Sequence, residues 1–257
     1  MKTTCIIHIF NEEYLLPFWL RHHKELFDYG IIINYYCDDN SLQICKEICP
    51  EWKIVDSRNS CFKAEDVDSE CMDIERSIDG FKMILNVTEF LITYGRPLHD
   101  ILKAYENQKV AIKLQVYSPH TLNKHEPKNN YDFFKNILED FRFSTFRNNR
   151  FLHNHETGCY GYGRHNTSHY SISTNDLCVL WAGFYPMNDN LMKRKLQIKQ
   201  HIPECNRIAG LGFHHLKDKE GMIQENKEHY NEGVPLVQCN PKLHEYITHL
   251  ASTKPQD

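Results

Sequence analysis

Residues 37–41 read Cys-Asp-Asp-Asn-Ser, directly after the apolar run Ile31-Ile32-Ile33 and one strand-helix-strand unit beyond a first apolar run, Cys5 to Phe10. Two carboxylates, Asp38 and Asp39, at the end of a strand are placed to accept hydrogen bonds from a ribose or a base, because ligands of open α/β sheets bind beyond the carboxyl ends of the strands. The same residues are also ordinary turn chemistry, since Asp, Asn and Ser side chains bond their own backbone and cap the following helix. Phe10, Asn11 and Glu12, at the end of the first apolar run, carry the same two readings: a wall of a nucleotide site, or a helix-capping turn.

Other residues with chemical potential lie further along. Arg76 could grip a diphosphate bidentately or rest on a solvated helix face. Glu156, in His153-Asn154-His155-Glu156, is the first candidate for a general base that deprotonates an acceptor hydroxyl, with His155 as the other. The pairs His153 with His155 and His214 with His215 lack the i, i+4 spacing of a helical zinc site. Following Gly210-Leu211-Gly212, His214 could instead reach donor phosphates from a C-terminal flap. Tyr160, Tyr162, Tyr170 and Trp181 offer rings for stacking on sugars, although core packing is the better reading of Trp181.

The elements that position these groups alternate. Thr4 to Phe10 reads as a strand, and Glu12 to Glu25 as a helix with Leu15, Leu16, Trp19 and Leu20 on one stripe and Gly30 closing it. Ile31 to Tyr36 is a second strand, Leu42 to Ile48 a helix capped by Ser41, Trp52 to Asp56 a third strand, Glu65 to Ser77 a helix, and Phe81 to Asn86 a fourth strand. Strands separated by crossover helices imply an α/β fold with a mostly parallel sheet covered on both faces. Beyond residue 95 the pattern loosens. Leu98 to Tyr105 reads as a helix, Val110 to Tyr117 as a strand, residues 147–176 as polar and aromatic loops, Leu177 to Phe184 as a strand, Asp189 to Gln200 as a basic helix, and Lys217 to Tyr230 as a last amphipathic helix.

Composition narrows the classes. The 257 residues carry a formal charge of -4 and lack a Lys/Arg run, which argues against nucleic acid as a partner. Hydrophobic residues make up 41% and charged residues 25%, the profile of a soluble globular chain. No apolar run reaches membrane-spanning length and no signal-peptide pattern opens the chain, so a cytoplasmic location is expected. Ten scattered cysteines without a CxxC pair read as reduced thiols.

Three segments in order resemble the glycosyltransferases of the GT-A fold, and within them the family 2 and family 92-like group. His8-Ile9-Phe10-Asn11-Glu12-Glu13 with Leu16-Pro17-Phe18-Trp19-Leu20-Arg21-His22-His23 looks like the group's opening strand, Asn-Glu turn and Trp-containing helix ending in His. Asp38-Asp39-Asn40-Ser41 is the second segment. Ile84-Leu85-Asn86-Val87-Thr88-Glu89-Phe90-Leu91 stands where the group carries Asp-x-Asp-Glu-Phe. Gly183-Phe184-Tyr185-Pro186 and the helix around Met192 to Lys199 are similar to the group's late strand, aromatic turn and Lys-rich helix.

The resemblance implies a Rossmann-like nucleotide-sugar transferase. Residues 1–95 would form the nucleotide-sugar half, and residues 96–257 the acceptor half with a C-terminal helical extension. It implies transfer of a sugar, from a UDP-sugar above other donors, to a glycan hydroxyl with inversion. Phe10, Asn11, Glu12, Asp38, Asp39, Arg76, Asn86, Thr88 and His214 would contact the donor. The family's acidic pair holds a divalent cation, Mn2+ or Mg2+, that bridges the diphosphate. Here Asn86 and Thr88 replace both aspartates and only Glu89 remains to hold such a cation. Three readings stay open: Glu89 alone holds a weakly bound metal, cationic side chains and helix N-termini take its place, or the chain is a catalytically silent nucleotide-sugar or glycan-binding relative.

Overall fold

In the computed structural model, residues 1–212 and 216–252 are described. The first four strands are β1 (Thr3–Ile9), β2 (Tyr29–Asn34), β3 (Lys53–Asp56) and β4 (Phe81–Leu85), connected by helices α1 (Leu16–His23), α2 (Ser41–Ile48) and α3 (Ala64–Glu75). They pair in parallel in the order β3-β2-β1-β4. Successive crossovers carry the chain away from β1 on one side and then return it to the other, leaving a topological switch point between β1 and β4. In such sheets the crevice beyond the strands' carboxyl ends at that point is where ligands bind. Both faces are covered: β1 is buried over nearly its whole length, and its Ile6 and Ile7 are fully inaccessible. A parallel strand therefore reads as a continuous apolar run and not as an alternation.

The second half completes a mixed sheet. β5 (Glu89–Ile92), α4 (Leu98–Leu102), β6 (Ala111–His120), α5 (Asn130–Asn136), β7 (Arg142–His153), β8 (Ser171–Ser173) and β9 (Cys178–Trp181) follow. β7 runs antiparallel to both β4 and β6, and β9 joins β6 in parallel and β5 antiparallel. Helices α6 (Asp189–Gln197), α7 (Glu204–Ile208), α8 (Lys219–Glu232), α9 (Leu236–Cys239) and α10 (Pro241–Ser252) close the described chain. One large apolar cluster extends from Cys5 to Ile247 and includes Trp19, Phe81, Phe90, Phe133 and Tyr185.

Several sequence expectations shift here. The segment expected to be loops from residue 147 contains the end of β7, whose residues were masked in the sequence by interleaved Arg and Asn. Gly30 does not close a helix but lies in β2, where the Trp52 ring packs so closely that a Cβ would meet it at 1.8 Å. Asn40 occupies the cap position of α2, and Ser41 is its first helical residue. Lys219–Glu232 is not the last helix, since α9 and α10 follow.

α1 owes its Trp and His residues to β5, which ends the sheet path beside β9. The Trp19 indole donates to Glu89 O at 2.8 Å, Leu91 N donates to His23 Nε2 at 3.1 Å, and His22 Nε2 meets Leu91 O at 2.7 Å. An edge strand with open N–H and C=O groups is a liability, and here side chains from a helix satisfy them. Because His23 Nε2 accepts, its Nδ1 carries the proton and donates to Trp19 O at 2.9 Å. Burial, and the neighbouring His22, hold His23 well below the usual imidazole pKa, so it stays neutral in that role.

Candidate functional site

Beyond the carboxyl ends of β1 and β2 lies a cavity of about 450 Å³. Phe10, Asn11, Tyr35, Tyr36, Asp38, Ser60 and Phe62 line it, together with Gln197, Gln200 and His201 from further along the chain. Its volume falls within the range of small-ligand sites. Four chain segments build it, and specific bonds hold them. Asn11 Nδ2 donates to Asp38 Oδ1 at 2.6 Å while Asp38 N donates to Asn11 Oδ1 at 2.9 Å, locking the two strand ends together. Tyr35 OH donates to Cys61 O at 2.6 Å, and Phe62 N to His201 O at 3.1 Å. Gln197 Nε2 reaches Asn11 O at 2.8 Å.

The lining is aromatic on one side. Tyr35 stacks on Phe62 with centroids 4.4 Å apart, and Phe10 meets His201 at 4.5 Å and Phe62 at 5.5 Å. Two non-glycine residues of the lining adopt left-handed backbone, Asn11 at φ 50° and Tyr36 at φ 56°. Asn tolerates that region; a tyrosine there costs about 1–2 kcal/mol, the kind of local strain that clusters at ligand sites.

The two aspartates divide their labour. Asp39 accepts from Ser41 N at 2.9 Å and from Glu13 N at 3.1 Å, which is the turn role. Asp38 is exposed and faces the cavity. Glu12 is turned away from it: its buried carboxylate pairs with Arg194 of α6 through Nη2 at 2.6 Å and through Nε, and its N–H donates to Ser41 Oγ at 2.8 Å. Burial raises the Glu12 pKa, and Arg194 opposes that rise.

A second polar cluster fills the mouth between β1 and β4. Glu89 accepts from Arg150 Nε at 2.9 Å and Nη2 at 2.5 Å on one oxygen, and from Asn86 N at 2.8 Å on the other. Asn86 Oδ1 accepts from Arg164 Nη2 at 2.8 Å, and Arg164 Nη1 donates to Asp68 Oδ1 at 2.5 Å. Side chains of Arg150, Glu89, Arg164 and Asp68 are all nearly inaccessible. Burial acts to raise the Glu89 pKa, but the Arg150 charge and hydrogen bonds outweigh it and hold the carboxyl below its usual value. His8 lies among these charges: burial, then Arg164, Arg150 and Arg194, push it down to about 3, so it is neutral.

This donor set does not fit a divalent cation. Such a cation asks for several anionic or neutral oxygens pointed at one place. Both Glu89 oxygens are already engaged, Asn86 Oδ1 faces a guanidinium, and Thr88, buried, brings no anionic oxygen. No group of three or more His, Cys, Asp or Glu residues that could hold a metal occurs among the described residues.

Three predicted site residues lie elsewhere. α3 starts near the carboxyl end of β3 and runs back, so Arg76 emerges at the amino ends of the strands, exposed and paired with Asp73. β7 pairs antiparallel with β4, His153 opposite Lys82, so the chain after His153 also leaves at the amino ends. There Glu156 O accepts from Lys82 Nζ at 3.2 Å, and the His155 ring stacks on His169 at 3.7 Å. The five residues of β4, roughly 16 Å, separate Glu156 and His155 from the cleft, too far for a base acting there. His214 lies outside the described residues. Of the candidate stacking rings, Tyr160 is held by Glu75 and Tyr170 is exposed beside β8, which is level with the amino end of β4, while Tyr162 is exposed beside Arg164.

Sequence reasoning missed Tyr35, Phe62, His201, Arg150, Arg164 and Asp68. The one available signal for Arg164 was the preceding Gly161-Tyr162-Gly163. Gly163 at φ 70° and Arg164 at φ 60° form a left-handed turn that presents Gly163 N to Asp68 Oδ2 at 2.7 Å and the guanidinium to Asp68 Oδ1.

No family description and no curated protein matches this chain. Among solved structures, it is similar to TarS of S. aureus at TM-score 0.37 and 14% identity, over 50% of this chain and 23% of that one. For TarS 1–349 the TM-score is 0.42 at 9% identity, over 78% of this chain and 65% of that one. For the mannosyltransferase PcManGT from Pyrobaculum calidifontis, in complex with GDP-Man and Mn2+, it is 0.43 at 12% identity, over 98% and 76%. The chain thus spans less than two thirds of either TarS chain.

Proposed function

We propose that this chain is a glycosyltransferase that binds a nucleoside-diphosphate sugar, a UDP-sugar above others, in the β1–β2 cleft and transfers the sugar with inversion to a glycan hydroxyl. The observation that carries the reading is the cleft itself: an aromatic wall of Phe10, Tyr35, Phe62 and His201 for a base, facing Asn11 and the exposed carboxylate of Asp38 for a ribose, at the carboxyl ends of parallel strands. The motif order of the first 95 residues supports it. In this arrangement the diphosphate runs from the nucleoside toward the β1–β4 mouth, which brings the sugar near Asn86 and Thr88. His214 keeps its proposed role at the phosphates.

A silent nucleotide-sugar or glycan-binding protein is the second reading, favoured by one feature. The carboxylates at the mouth are engaged in ion pairs or turn bonds, Glu12 with Arg194, Asp68 with Arg164 and Glu89 with Arg150, and none of these three is free to act as a base. Purified protein incubated with UDP-, GDP- and dTDP-sugars separates the readings. A raised melting temperature with release of the nucleoside diphosphate supports transfer, and stabilisation without turnover supports the binding protein. Failure of every donor to stabilise the fold removes both donor readings.

A further inference from the structure

Resting on that reading of the cleft, we infer that nucleotide binding here needs no divalent cation, because a fixed guanidinium network occupies the place of the metal. Charge is the first argument. An acidic pair holding a dication sums to zero; Asn86 and Thr88 without a cation also sum to zero, and the remaining carboxylate, Glu89, is neutralised by Arg150. The mouth therefore already has the charge of a metal-loaded site.

Geometry is the second. Arg150 binds Glu89 through two nitrogens and uses Nη1 on Gly163 O at 3.2 Å and His165 Nδ1 at 2.5 Å. Arg164 spans Asp68 and Asn86, and its Nε makes no hydrogen bond although it is buried. The two guanidiniums thus bridge β4, β5, β7, α3 and the 158–165 turn, a tie that a cation would otherwise supply. A dication there would find Glu89, Asp68 and Glu12 already paired with Arg150, Arg164 and Arg194, so none of these carboxylates is left to offset its dehydration in a site of low dielectric. The pairs are fixed in place, so the groups facing a diphosphate need not rearrange as the leaving group's charge grows. The left-handed conformation of Arg164 fits this account, since the backbone holds a strained turn that delivers the guanidinium to Asn86.

Calorimetric titration of the full chain with UDP, GDP and dTDP, once in EDTA and once in Mn2+, tests the inference. For the nucleotide that binds, the expected dissociation constants agree within about twofold. Binding that tightens by roughly tenfold or more in Mn2+ overturns the inference while leaving the donor reading standing. Absence of binding for all three in both conditions overturns the inference together with the donor reading. Arg164→Lys, which keeps the charge but loses the fork, is expected to weaken binding by at least about tenfold in EDTA and to gain nothing from Mn2+. Unchanged affinity in a folded variant overturns the role given to the guanidinium, and if that variant does not fold, the comparison on the unaltered chain decides.

Discussion

Asp38 and Asp39 are adjacent in sequence and opposite in consequence. Asp39 is spent on the N–H groups of Glu13 and Ser41, whereas Asp38 is exposed at the cavity with Asn11 as its side-chain partner among the described residues. Asp38→Ala is therefore expected to weaken nucleotide binding by about 1.5–3 kcal/mol, the worth of a hydrogen bond to a charged group, with little change in melting temperature. Titration calorimetry paired with thermal unfolding reads both; equal affinity for variant and parent would remove the ribose role. Glu89 behaves in the opposite way. Its partner Arg150 is buried with it, so Arg150→Met leaves an unpaired buried carboxylate and is expected to cost about 3–5 kcal/mol in urea unfolding. A cost below about 1 kcal/mol would show that the pair is solvated and not the fixed bridge described above.

Among the elements, α1 and β5 depend on each other. The Trp19, His22 and His23 contacts to Glu89 and Leu91 convert an edge strand into a supported one, and they hold Glu89, the partner of Arg150, at its start. His23→Leu strands Leu91 N in the core and is expected to cost about 1–3 kcal/mol, measured by denaturant unfolding. Hydrogen exchange at Leu91 unchanged from the parent would contradict the clamp. β6 and α8 are joined in a comparable way, since His120 meets Asn226 Oδ1 at 3.3 Å and Ser144 Oγ at 3.0 Å.

For the whole molecule, these buried imidazoles fix the response to acid. Burial, with His229 nearby, lowers the His120 pKa from 6.5 to about 3. Below pH 6.5 the unfolded chain takes up a proton that the folded chain refuses, so stability falls as pH drops from 6.5 toward 3, by up to about 1.4 kcal/mol per pH unit for such a group. Glu89 acts lower: its depressed pKa gives stability that is fully present above the usual carboxylate range and is lost only as pH falls through the folded value. Melting temperature should accordingly decline before the carboxylates titrate. His120→Gln should flatten that decline; a slope identical to the parent's would assign the acid sensitivity to other groups.

The alternation of strands and helices through β4 was legible because parallel strands buried on both faces read as unbroken apolar runs and crossover helices as stripes, both local patterns, whereas β5 (Glu89–Ile92) was not read as a strand. Asn11 and Asp38, which line the cavity, were legible for a related reason: each follows the end of a strand. Arg150, Arg164, Asp68, Phe62 and His201 were not, because each becomes part of the site only through pairing between segments far apart in sequence, such as Arg150 with Glu89 and Phe62 with His201. Glu156 and Arg76 fail for the same reason in reverse. Their chemistry is plausible residue by residue, but strand direction decides which end of a sheet a loop occupies, and the antiparallel pairing of β7 with β4 and the return path of α3 place both at the far end. The sequence by itself determined the parallel core and the strand ends that border the cavity. The tertiary structure alone decided that Arg150 meets Glu89 and that Arg164 meets Asp68 and Asn86, since only long-range packing brings those groups together.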